Sequence, residues 1–173
     1  EKTNDPIIFS DCDMLALGDG GKAFIENPDF DIALTGDLSS KNIPLNGGIV
    51  FVRPNERSRA FFRYWLEINN KLYNDESIHS KYRARWAGMN QAALGYMFDK
   101  GYPECKILFL PRKRWNATDS YWHEIDKDTV FVHIKGNLRK LLLGEMKPCG
   151  IYEKTMLKWY QYSDIDIKKL EAK

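Results

Sequence analysis

The chain lacks any apolar run approaching the roughly 20 residues that a membrane-spanning helix needs. Its first residues, EKTND, lack the charged-then-apolar order of a signal peptide. Cysteine is sparse: Cys12, Cys105 and Cys149 are odd in number and widely spaced. That fits free thiols in a reducing compartment better than a disulfide framework or a zinc site. An excess of charge is missing too, since 26 Lys and Arg stand against 24 Asp and Glu for a net +2. A field that weak gives no reason to expect nucleic acid or an anionic membrane as partner. Repeats and low-complexity segments are absent as well. Together these absences lead us to expect a cytoplasmic protein without a transmembrane segment or a nucleic-acid partner.

What is present is enough apolar matter for one core: 173 residues, 43% hydrophobic and 13% aromatic. We expect a single α/β domain over residues 1–173, with its core at about 6–143 and a helical tail at 150–173. Strand-like and helix-like pieces alternate, the pattern of an α/β fold. Pro6 to Ser10 and Phe30 to Thr35 read as short strands, and Leu45 to Val52, LNGGIVFV, as the strongest one, ended by Pro54. Past it, Ala60, Phe61, Tyr64, Trp65, Ile68 and Leu72 recur at three- and four-residue spacing, predicting an amphipathic helix capped by Asn55. Trp86 to Phe98 reads as a second helix stopped at Lys100-Gly101. Ile107 to Leu110 and Thr129 to Ile134 read as strands, and Tyr152 to Tyr162 as helical.

Chemistry concentrates in the stretch IIFSDCDMLAL, where a buried-type strand runs into Asp11 and Asp13. On a continuing strand the two carboxylates would share a face about 7 Å apart and would call for a cation or basic partners. The mouth of a strand is also where α/β sheets bind ligands. A solvated turn with an aspartate cap is the plain alternative. A calcium loop of the EF-hand kind is excluded, because Leu15 and Ala16 stand where a ligand and the glycine belong. A phosphatase of the haloacid-dehalogenase type also opens on a strand and D-x-D. However, it usually has Thr or Val where Leu15 stands and a further Asp beyond the Gly36-Asp37 pair.

The rest of the chain favours another reading. LNGGIVFVRPNERSRAFFRYWLE, then MNQAALGYMF, then FVHIKGN follow the D-x-D in order. With them the sequence resembles the C-terminal half of GT-A glycosyltransferases over about residues 6–143. It resembles the nucleotide-diphospho-sugar transferases and, more distantly, the glycogenin and lipopolysaccharide-galactosyltransferase type.

The resemblance implies a Rossmann-like GT-A fold that moves a sugar from a nucleotide-diphospho-sugar, with a UDP-sugar as expected donor, to a hydroxyl of a glycan, lipid or protein. It implies that Asp11, Asp13 and His133 hold Mn2+ or Mg2+ on the donor diphosphate, and that Asn46, Gly47 and Gly48 lie beside the sugar. Gln91 matches the glutamine of the family's Asp-Gln pair, and Asn90 replaces its aspartate. Lys135, Gly136 and Lys140 would meet the diphosphate. Retention of configuration by a front-face route is the stereochemistry implied. Such enzymes carry about a hundred residues of base-binding strands before the D-x-D, whereas ten residues precede Asp11 here. The chain is therefore expected to lack those strands, to expose the edge of its first strand and to cover it by homodimerisation. A non-catalytic remnant acting as a binding module is the second expectation. Pro111 to His123, PRKRWNATDSYWH, is the candidate acceptor loop, and the sequon at Asn116-Ala117-Thr118 reads as chance.

Overall fold

The computed structural model describes residues 4–36, 44–118, 121, 124–136, 139, 140 and 145. The tail expected at 150–173, with its helix, lies outside them. In chain order the elements are β1 (Ile7–Ser10), β2 (Met14–Ala16), α1 (Lys22–Glu26), β3 (Ile32–Gly36), β4 (Leu45–Val52), α2 (Glu56–Asn74), α3 (Glu76–Trp86), α4 (Met89–Lys100), β5 (Ile107–Pro111), α5 (Arg112–Trp115) and β6 (Phe131–His133). The chain divides into two compact units. One takes residues up to Asp11 together with Asp19–Arg112; the other takes Cys12–Gly18 and the described residues from Lys113 onward.

The first unit is built around β4, which is antiparallel to both β1 and β3, while β3 is parallel to β5, giving the order β1-β4-β3-β5. The Ile49–Val52 end of β4 reads as an unbroken apolar run because both of its faces are covered. Val50 and Val52 join Ile32 and Leu34 in a core closed by Phe61, Ile68 and Leu72 of α2, Tyr82 and Trp86 of α3, and Leu94 and Met97 of α4. On the other side Phe51 meets Phe24 edge-on at 5.9 Å, and Phe24 stacks on Phe30 at 5.6 Å.

Helix α2 starts at its expected cap: Asn55 Oδ1 accepts from the Ser58 amide and Ser58 Oγ accepts from the Asn55 amide, both at 2.9 Å. α3 is an element that the sequence pattern does not reveal. Asp75 ends α2 and caps the new helix by accepting from the amides of Ser77 and Ile78. The helix read over Trp86 to Phe98 is correspondingly split: Trp86 closes α3, Ala87 and Gly88 turn the chain with φ of 51° and 80°, and α4 begins at Met89. The turn folds the Trp86 indole onto Gly95, where a Cβ would lie 2.3 Å from Nε1. At the other end of α4, Gly101 stops the helix as expected, at φ 102°. The segment read as a loop from Pro111 instead begins with the last residue of β5 and the single turn of α5.

One buried acid ties the first unit together. Asp31, 2% exposed, accepts from Arg57 Nε and a second guanidinium nitrogen at 2.7 and 2.9 Å, from Asn55 Nδ2 at 2.7 Å and from the Lys106 amide at 2.8 Å. Its carbonyl accepts from the Arg53 amide at 2.9 Å. These donors, with Arg57 first, hold its carboxyl far below the usual carboxylate range.

Two stability measurements check this description. Asp31→Asn is expected to cost about 1.5–3 kcal/mol in urea unfolding at pH 7. Because the folded pKa lies below the unfolded value near 3.9, this stabilisation is complete above that value and lost as pH falls, so the gap between wild type and variant narrows below about pH 4. Gly95→Ala is expected to cost about 1–3 kcal/mol through the displaced indole; a variant as stable as wild type would refute the packing.

Candidate functional site

In the second unit, β2 and β6 pair antiparallel with Met14 opposite His133. The ladder runs one step further, the Ile134 amide donating to the Asp13 carbonyl at 2.7 Å. Two short strands therefore place Asp13 at the end of β2 beside His133, whose Nε2 lies 3.2 Å from Asp13 Oδ1. Cys12-Asp13 form a turn, so the strand does not continue through the pair of acids. The other edge of β6 is held by residues 116–118: the Ala117 amide donates to the Phe131 carbonyl, and the His133 amide to the Ala117 carbonyl. Asn116, 0% exposed, thereby brings its Oδ1 to 3.1 Å from His133 Nδ1. So buried an amide is no glycan acceptor in the folded chain. Arg139 closes the group by pairing with Asp13 Oδ2. Gly136, at φ 61°, turns the chain between Lys135 and Arg139.

Burial pushes the His133 pKa down to about 4, with Lys135 and then Arg139 adding to the depression and Asp13 opposing it. At pH 7 the ring is neutral. Its approach to Asp13 is thus the meeting of a carboxylate with an uncharged imidazole, not an ion pair, and a neutral imidazole nitrogen beside a carboxylate oxygen is a donor set for a metal ion.

Asp11, Asn46, Gly47, Gly48, Asn90 and Gln91 lie in the first unit. Asp11 follows β1, is exposed, and donates its amide to the Gly48 carbonyl at 2.8 Å. Asn46 is 3% exposed, and its Oδ1 accepts from the Gly48 amide at 2.8 Å. Gln91 spends both ends of its amide on β4: Oε1 accepts from the Gly47 amide at 2.6 Å, and Nε2 donates to the Leu45 carbonyl at 2.7 Å. A Cβ on Gly47 would come within 3.1 Å of both Gln91 Oε1 and Leu94 Cδ1, a tight fit against α4. Asn90, on the first turn of α4, keeps its side chain exposed while its carbonyl accepts from Trp65 Nε1 at 3.2 Å. Lys135 is half-buried in the second unit, and Lys140 is exposed.

A family model described as nucleotide-diphospho-sugar transferase matches residues 2–141. The chain belongs to the nucleotide-diphospho-sugar transferase family. Among solved structures, this family member is similar to a glycosyltransferase involved in the glycosylation of the major capsid of PBCV-1. The identity is 14% and the TM-score 0.47, over 82% of this chain and 66% of that one. The transferase-family chain therefore spans less than two thirds of that structure. No curated protein matches it.

Sequence reasoning missed Asn116 and Arg139 in this family member. Arg139 stands three residues after Gly136, one position before the expected basic residue Lys140, and a search for lysine alone passes over it. Asn116 carries no local signal, because only the pairing beside β6 brings it to His133. The electrostatics of the group can be checked by NMR titration of His133. Lys135→Ala is expected to raise its pKa from about 4, since a neighbouring positive charge is removed, and Asp13→Ala to lower it. Shifts of the opposite sign would refute the arrangement.

Proposed function

We propose that this chain transfers a sugar from a nucleotide-diphospho-sugar to an acceptor hydroxyl, with a divalent cation held by Asp13, His133 and Asp11. The observation that carries this reading is the neutral, buried His133 with Nε2 3.2 Å from Asp13 Oδ1, in a chain of this family. Asp11 enters on sequence, since Cys12 alone separates it from Asp13. Hard carboxylate oxygens with one imidazole nitrogen suit Mn2+ better than Ca2+. When bound, such an ion neutralises the charge that builds on the diphosphate leaving group.

The chain's own residues supply the rest of the site. Lys135 and Arg139 keep positive charge on either side of Gly136, where a diphosphate with Lys140 near it would be held. Gln91 acts by fixing the backbone of Leu45 and Gly47, so that Asn46, Gly47 and Gly48 present one conformation to the sugar. Asn90 offers an exposed amide in place of a carboxylate. With no carboxylate there to act as nucleophile, attack by the acceptor on the face that the diphosphate leaves, with retention, is the route that fits. The Asn90 substitution also supports a second reading, a binding module that holds the donor without turning it over. Self-association at the edge of β1, where Phe9 is 51% exposed, belongs to the proposal too.

A thermal-shift panel of UDP, GDP and their sugars, each with Mn2+ or EDTA, tests the first reading. Ligand at a hundred times its dissociation constant is expected to add about 2.7 kcal/mol of stability. The shift should need Mn2+ and vanish in Asp13→Ala. A nucleotide shift unaffected by EDTA would sink the cation assignment. Binding without product on any acceptor would favour the module, and an inverted product anomer by NMR would overturn retention.

A further inference from the structure

We infer that Asn116 is a positioning residue: its side-chain carbonyl keeps the ring proton of His133 on Nδ1, so that Nε2 turns a lone pair toward Asp13 and the cation they would share. The inference rests on the cation reading for its purpose, but the proton's position is a property of the metal-free chain. A neutral imidazole has one N–H and one lone pair, and a carbonyl oxygen can only accept. With Asn116 Oδ1 3.1 Å from Nδ1, the proton belongs on Nδ1. Nε2 is left without one, 3.2 Å from Asp13 Oδ1.

Two electron-rich atoms at that distance repel unless positive charge lies between them, and Arg139 engages the other carboxylate oxygen, Oδ2. A cation shared by the two atoms would relieve that repulsion. A metal-binding histidine typically donates its second nitrogen's proton to a carbonyl in this way, which fixes both the tautomer and the ring orientation. Here the holder is well fixed. Asn116 is 0% exposed, and Ala117, next in the chain, is bonded to β6 through the Phe131 carbonyl and the His133 amide. The competing arrangement places the proton on Nε2, donating to Asp13, with Asn116 presenting its NH2 to Nδ1.

Long-range 1H–15N correlation spectra of chain labelled at its three histidines, assigned with His133→Gln, distinguish the two at pH 7.5 without metal. The Nδ1–H tautomer is expected, and Nε2–H in the wild-type chain overturns the inference. Mn2+ affinity is measured alongside. Asn116→Leu, which has no acceptor, is expected to shift the ring toward Nε2–H and to weaken Mn2+ binding about 10- to 100-fold. Asn116→Asp retains an acceptor and is expected to keep both the tautomer and the binding. If Asn116→Leu is folded by its amide spectrum and binds Mn2+ as wild type does, the inference fails. If it does not fold, the wild-type spectrum and Asn116→Asp decide. Should wild type show Nδ1–H yet bind no Mn2+, the cation reading fails while the role of Asn116 in holding the tautomer stands.

Discussion

Asp31 has a carboxylate with nowhere to meet water. Its burial would be costly if it were unpaired, and it is stable only because a guanidinium, an amide side chain and a backbone N–H all converge on it. Those donors belong to the start of α2, the residue that caps it and the approach to β5, while its own carbonyl takes the amide just past β4. One residue therefore links the starts of β3, β5 and α2 to the end of β4. At the other end of β4, beyond a register shift against β3 between Leu34 and Thr35, Gln91 of α4 grips Leu45 and Gly47.

The second unit solves a different problem with the same economy. Two strands of three residues are too short to be stable by themselves, yet β2 and β6 are enough to bring Asp13 to His133 when residues 116–118 line the far side of β6. Burial and two nearby cations keep His133 uncharged, so the acid and the imidazole meet as ligands would and not as an ion pair. Arg139 balances the acid from its other oxygen. The polar group thus keeps His133 neutral, the state in which an imidazole can ligate a divalent cation.

Much of the first unit was legible in local pattern. LNGGIVFV announced β4 because its IVFV end, covered on both faces, is continuously apolar. Asn55 and Ser58 announced the start of α2 because capping is decided within four residues. Gly101 did the same for the end of α4. What failed were features without a local signature. α3 has a polar sequence in which Ile78, Tyr82 and Trp86 are its few apolar anchors, and its boundary with α4 depends on an indole lying against a glycine nine residues on. Asp31 looks in sequence like any acid before a strand.

The sequence by itself determined the elements that depend on near neighbours, the pairing of Asp11 with Asp13 across one residue, and the family, because those motifs keep their order along the chain. Only the tertiary structure decided which groups face those acids. Asn116 lies 103 positions after Asp13 and His133 lies 120 after it, and no periodicity reaches that far. They meet because backbone hydrogen bonds of β2, residues 116–118 and β6 satisfy one another in a single register, and a shift of one residue in that register would turn His133 away from Asp13.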